Sequence, residues 1–119
     1  MPKGVFVVQS SAVDAAHEPA YDDWYRNEHI PQVLEVPGFV GARRFRVVDG
    51  AADAHTFLTI YEIDSDDVRA PLRELFRRTQ SGAIGIPEDV RSARLPTTAL
   101  YELIGDHRST TGAAGAEDR

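Results

Sequence analysis

The segment Tyr21–Phe39, YDDWYRNEHIPQVLEVPGF, restricts the fold more than any other part of the chain. Tyrosines, a tryptophan and a histidine sit among acids within one short amphipathic stretch. Such groups are costly to bury without partners, so they demand a particular neighbourhood. Pro19 suits a first helical turn, and Asp22 and Asp23 fall where the positive end of a helix dipole favours acids. A helix is expected from about Pro19 to His29. Pro31 cannot donate to the carbonyl four residues back and disfavours helical geometry at Ile30, so a break or kink is expected around His29 and Ile30. A short second helical piece should run through Val36, and Pro37-Gly38 should turn the chain into a strand.

The remaining elements fall on either side of this segment. Val5–Val8 is a short apolar run, β-branched and aromatic, and reads as a buried first strand. Residues 11–17 read as a loop, with His17 exposed. Phe39–Val48 is the expected second strand and His55–Ile63 the third, joined by a loop over 49–53. Ser65 is placed as the N-cap of another helix, ahead of Asp66 and Asp67. Val68, Leu72, Leu75 and Phe76 recur at spacings of three and four and predict one buried stripe, while Pro71 favours a late start or a kink. Ser81-Gly82 closes that helix. Residues 82–96, with Pro87 and Pro96, are expected as a loop, and Thr97–Ile104 as the last strand. One domain over residues 1–104 and a disordered polar tail over 105–119 are expected.

The order β-α-β-β-α-β predicts an α+β, ferredoxin-like sandwich: a four-stranded antiparallel sheet with two helices on one face. Strand parity adds a constraint. Phe57, Tyr61 and Ile63 point one way and Leu58 and Ile60 the other; Val5 and Val7 oppose Phe6 and Val8. A half-solvated sheet alternates apolar with polar, whereas here both faces are apolar and two helices cover only one. A second copy of the chain is the simplest cover, giving a homodimer in which two sheets close into an α+β barrel.

Bulk properties narrow the function classes. A formal charge of −6 argues against a nucleic-acid or anionic-membrane partner. The chain has no cysteine, so neither disulfides nor thiolate metal sites are possible. The four apolar residues after Lys3 are too few for a signal-peptide core, and no run approaches a membrane span, so a cytoplasmic protein is expected. The scattered histidines form no metal-binding motif, and no glycine-rich phosphate loop or nucleophile elbow is present.

The run W-Y-x-x-x-H-I-P-x-V-L-x-V-P-G-F, Trp24 to Phe39, resembles the EthD-like branch of the dimeric α+β barrel superfamily. That resemblance implies a homodimer with one small-ligand pocket per subunit, and it makes the histidine before the proline, His29, the pocket residue. Proteins of this fold include cofactor-independent quinol monooxygenases, aromatic polyketide cyclases, lactone isomerases, haem-degrading enzymes and stress proteins, so fold alone selects no chemistry.

His29 has two readings: a proton shuttle in a pocket, or a helix cap bonding carbonyls freed by Pro31. Glu28 and Tyr25 are its expected catalytic partners, with Glu28 either orienting the ring or sitting idle in solvent. Tyr21, Tyr25 and His29 are spaced by four, which on a straight helix forms one stripe. Trp24 falls nearer Glu28 and Pro31 on that wheel. Arg43 and Phe45 share one parity of the second strand, Arg44 and Arg46 the other. One arginine facing inward would hold a carboxylate, phenolate or enolate oxygen, and otherwise the group forms rim salt bridges. Tyr21, Trp24, Arg43, Phe45, His55 and Tyr61 are taken as substrate-binding. The expectation is a small enzyme without metal or organic cofactor, doing acid–base chemistry on an apolar aromatic or polyketide-like molecule. A non-catalytic ligand-binding or stress-associated dimer and a haem-dependent oxygenase are the alternatives.

Overall fold

A computed structural model describes residues 3–85 and 95–110. Strands β1 (Lys3–Ser10), β2 (Phe39–Arg46), β3 (Phe57–Asp64) and β4 (Thr97–Glu102) form one sheet of order β2-β3-β1-β4, every neighbouring pair antiparallel. The helices are α1 (Glu18–Trp24), α2 (Ile30–Leu34) and α3 (Arg69–Ser81). This is the ferredoxin-like α+β arrangement that the element order predicts. Residues 105–110 hold no helix or strand. The expected Pro87 loop and most of the expected disordered tail fall on residues 86–94 and 111–119, outside the described residues.

Pro31 does not break the first helix. Tyr25–His29 forms a π turn that joins α1 to α2, with the Ile30 N–H donating to the Tyr25 carbonyl, five residues back. Backbone angles stay helical through His29 (φ −72°, ψ −51°) and Ile30 (φ −60°, ψ −47°). The expected kink is therefore corrected. The wider turn gives the proline ring room beside the preceding carbonyls, so an interruption of the bonding pattern replaces an interruption of the axis.

Gly38 sits at φ +101°, where a side chain is strained, and a Cβ there would collide with the Pro71 ring at the start of α3. The Pro37-Gly38 turn is thus pinned against α3 as well as leading into β2. Helix α3 begins four residues after Ser65, which is not its cap. Instead, Ser65 Oγ accepts from the Asp67 N–H and Asp67 Oδ1 from the Arg69 N–H, and Pro71 lies in the first turn. Val68, Pro71 and Leu75 are buried, but Phe76 is 52% exposed and lies off the predicted stripe. Gly82, at φ +86°, terminates the helix as expected.

Burial splits the sheet by parity. Phe6 and Val8 of β1 and Phe57, Thr59, Tyr61 and Ile63 of β3 are buried beneath the helices. On the open face Val5, Val7, Leu58 and Ile60 are half-buried, flanked by exposed Val40, Phe45 and Tyr101. The register of β2 carries an irregularity with consequences for the site. Phe39 pairs with Ile63, yet Gly41 pairs with Glu62 and Ala42 with Tyr61, so Val40 is an extra residue, a β-bulge. Beyond it the parity of β2 is reversed relative to Phe39. Ala42, Arg44 and Arg46 share the helix face, and Arg43 and Phe45 the open one.

Candidate functional site

Two apolar clusters lie under the helices. Tyr21, Trp24, Tyr25 and Phe57 pack under α1; Phe6, Val33, Phe39, Tyr61 and Ile63 are among those packed nearer α2 and α3; Ile30 touches both. Polar side chains from β3, from β2 beyond its bulge and from the π turn meet the edges of these clusters.

Arg44 is the central group. Its side chain is 12% exposed, and its guanidinium lies 4.1 Å from the Tyr25 ring centroid and 4.4 Å from that of Phe57. Nε donates to Asp22 Oδ1 at 3.0 Å and Nη1 to Thr59 Oγ1 at 2.9 Å, while Nη2 is buried with no partner. Burial pushes the Asp22 carboxyl up, but the hydrogen bond and charge of Arg44, then those of Arg26, hold it below the usual carboxylate value.

His29 faces Trp24 at 4.6 Å with the rings 17° from parallel, and meets the Tyr25 ring edge-on at 5.1 Å. The π turn explains the first contact: with more than four residues per turn, positions five apart come into line. Trp24 therefore lies against His29, rather than against Glu28 and Pro31 as a straight helix predicts. His29 Nδ1 is buried and unpartnered, so the ring does not cap the helix through that atom. Burial, and secondarily the charge of Arg44, push its pKa down to about 4. A shift of that size amounts to about 3 kcal/mol, more than the roughly 2 kcal/mol that a Trp24 face returns to a desolvated cation. The ring is neutral at pH 7.

The Tyr61 hydroxyl is buried and unpartnered too, and the residue is 1% exposed. Burial raises the phenol pKa values of both Tyr25 and Tyr61 well above the ordinary 10, so each stays a hydrogen-bond donor. The charge of Arg44 pulls all three pKa values down, those of His29, Tyr25 and Tyr61.

Of the residues singled out in the sequence, Tyr21, Trp24, Tyr25, His29 and Tyr61 lie on the helix side of the sheet with Arg44. Glu28 is exposed. Arg43 and Phe45 lie on the opposite face, because the bulge at Val40 turns Arg44 and Arg46 to the helix side. Arg43 lines an open-face groove of about 540 Å³ with Lys3, Val5, Glu62 and Tyr101. His55 stands at the far end of β3, its Nδ1 2.9 Å from Ser11 Oγ, which also accepts from the Thr56 N–H. Sequence reasoning missed Asp22 and Thr59 altogether. The one available signal was Gly41, since a glycine inside a strand pattern marks a bulge. Among the described residues no three His, Asp or Glu side chains group closely enough to hold a metal ion, and no helix is long and apolar enough to cross a membrane.

Residues 5–79 match the family model for DUF4286, a domain of unknown function. The chain belongs to the DUF4286 family. The DUF4286 match runs from β1 through most of α3 and so includes Asp22, His29, Arg44, Thr59 and Tyr61. No curated protein shows significant sequence similarity. Among solved structures the chain is similar to a Shewanella loihica PV-4 protein provisionally assigned as a monooxygenase, at 17% identity and TM-score 0.59, covering 89% of this chain and 99% of that one. It is also similar to an ethyl tert-butyl ether degradation (EthD) family protein of Bacillus halodurans C-125, at 19% identity and TM-score 0.53, covering 91% and 100%. A third is the monooxygenase from the gene ActVA-Orf6 of Streptomyces coelicolor, in complex with Nanaomycin D, at 15% identity and TM-score 0.55, covering 92% and 94%. At these identities the likeness is one of fold. It agrees with the EthD-like resemblance carried by Trp24–Phe39.

Proposed function

We propose that this chain is a small-molecule enzyme that moves a proton at a carbon or hydroxyl beside a carbonyl, on a planar aromatic or polyketide-like substrate, with His29 as the base. One observation carries the reading. Three buried polar atoms lack partners, Arg44 Nη2, His29 Nδ1 and Tyr61 Oη, and the charge of Arg44 reaches the other two groups, with the Tyr25 and Phe57 rings against its guanidinium. Buried polar groups are ordinarily satisfied, and each orphan costs about 1–3 kcal/mol unless a ligand completes it. With the proton on Nε2, Nδ1 offers a lone pair to the substrate, while Tyr61 and Arg44 donate to the oxygen on which charge develops. A base with a pKa near 4 is weak in the free protein. Negative charge arriving beside Arg44 offsets the second cause of that depression, so the base strengthens as the oxyanion forms. Cyclisation, isomerisation, lyase chemistry and quinol oxygenation all begin with such a step. The solved structures of the same fold that are described as monooxygenases lend this reading support.

His29→Gln tests it. Turnover of a quinol or polyketide substrate panel should fall at least about 100-fold while the melting temperature holds. Unchanged turnover in the variant refutes the base. A wild-type chain that binds panel members and never turns them over makes this a binding protein. A Soret band in the purified protein would replace the reading with a haem-dependent one.

The same reading includes a homodimer. Val5, Val7, Leu58, Ile60, Phe45 and Tyr101 lie on the sheet face that none of the described helices covers, and a second copy shields them at the lowest structural cost.

A further inference from the structure

We propose that Asp22 and Thr59 are positioning residues that clamp Arg44 so that the free N–H groups at its Nη2 end take one anionic group, making this a site for a planar aromatic monoanion. The inference rests on the same site as the proposed function but not on its proton transfer.

A guanidinium has five N–H donors in a rigid fork, and a free one takes a carboxylate two-pronged through any of its edges. Here two of the three nitrogens are assigned. Nε is taken by Asp22 and Nη1 by Thr59, and the Tyr25 and Phe57 rings bracket the plane at 4.1 and 4.4 Å. Rotation about the last side-chain bonds would break both hydrogen bonds and push the group into a ring. Both N–H groups of Nη2, which is buried with no partner, and the second one of Nη1 remain.

Charge in the surroundings is already paired. Asp22 is shared between Arg44 and Arg26, and Arg26 also donates to Asp23 Oδ1 at 2.8 Å, so these two arginines and two aspartates balance one another. The other groups around the guanidinium are a neutral imidazole and two phenols held in their protonated forms. What asks for an anion is the unpaired Nη2 of a permanent cation, for which a carboxylate or phenolate oxygen on a flat ring is the stronger acceptor.

The test uses 2-naphthoate and its neutral counterpart 2-naphthamide, titrated calorimetrically into the full-length protein at pH 7. Naphthoate should bind at least about 10-fold more tightly than the amide, the margin expected for one charge-assisted hydrogen bond in a desolvated site. Asp22→Asn and Arg44→Lys should each lose about 10-fold or more in naphthoate affinity, the second despite keeping its charge. Thr59→Val, which preserves side-chain shape, should lose severalfold and serves if Asp22→Asn does not fold. Naphthoate should also raise the His29 pKa, followed by proton NMR of the imidazole, and that rise should be absent from Asp22→Asn. Equal affinity for acid and amide overturns the proposal, as does the absence of naphthoate binding at millimolar concentration. So does an Asp22→Asn or Thr59→Val variant that melts lower yet binds naphthoate like the wild type, since the role would then be structural only. A wild type that prefers naphthoate yet turns over no panel substrate loses the catalytic reading and keeps this one, whereas turnover without that preference loses this one alone.

Discussion

Acidification should destabilise this protein through one imidazole. In the unfolded chain His29 titrates near 6.5, and in the folded one near 4, because burial and then Arg44 oppose its charged form. Above pH 6.5 both states hold the ring neutral and the full stability is present. As pH falls below 6.5 the unfolded chain takes up a proton that the folded chain refuses, and stability drops until about pH 4, where the folded ring protonates as well. The complete shift is worth about 3 kcal/mol, and roughly 2 kcal/mol of it is lost between pH 8 and pH 5. His29→Gln removes the titration while keeping a polar side chain of similar length. Urea unfolding at pH 8 and pH 5, at one protein concentration, separates this residue from the other three histidines by double difference. The single tryptophan of the chain, Trp24, is stacked on His29 and supplies the signal. With a urea dependence of about 2 kcal/mol per molar, the wild-type midpoint should fall by about 1 M more than that of the variant. Equal falls in the two proteins would show that the ring is solvated in the folded state, and the description of the site would fail with it.

Two further outcomes are expected. Gly38→Ala places a methyl group against the Pro71 ring at φ +101° and should cost about 1–3 kcal/mol, read calorimetrically as a melting temperature at least about 4 °C lower; an unchanged melting temperature would mean the turn and α3 are not coupled. Phe45→Lys combined with Tyr101→Lys puts two charges on the open sheet face and should convert a species near twice 13.1 kDa into one near 13.1 kDa by sedimentation; a wild type that sediments as a single copy removes the homodimer.

The fold was readable because it depends on periodicity and punctuation. Alternating apolar residues, the Pro37-Gly38 turn and Ser81-Gly82 locate strands and helix ends through local sterics, and Pro71 announces a late helix start. The doubled apolar parity of β1 and β3 was equally plain. The site was less so. His29, Tyr25, Tyr21, Trp24 and Tyr61 are conspicuous by type, but their mutual placement depends on two local irregularities whose energetics are tertiary. Pro31 signals that regular bonding must fail; whether the helix kinks or widens is decided by how Trp24 and Tyr25 pack on the sheet. Gly41 hints at a bulge, yet nothing local says that Val40 is the supernumerary residue. Spacing alone therefore leaves open which of Arg43, Arg44 and Arg46 turns inward, and the bulge sets Arg44 and Arg46 on the helix side. Asp22 looked like a dipole-complementing acid and Thr59 like filler, since a hydrogen bond to a distant arginine leaves no trace in spacing.

The bulge at Val40 bears on how this site is inherited. A relative that kept every residue from Phe39 to Arg46 but paired them with β3 in unbroken register would turn the A-R-R-F-R run over, sending Phe45 under the helix and the Arg44 equivalent to the outer layer. Loss of Val40 itself would instead close the bulge and leave Arg44 in place. Chemistry in such a lineage is gained or lost by the placement of a bulge, with no change of side chain. Correspondence between distant members is decided by superposed backbones, and a shared arginine in an alignment column is no guarantee of a shared pocket.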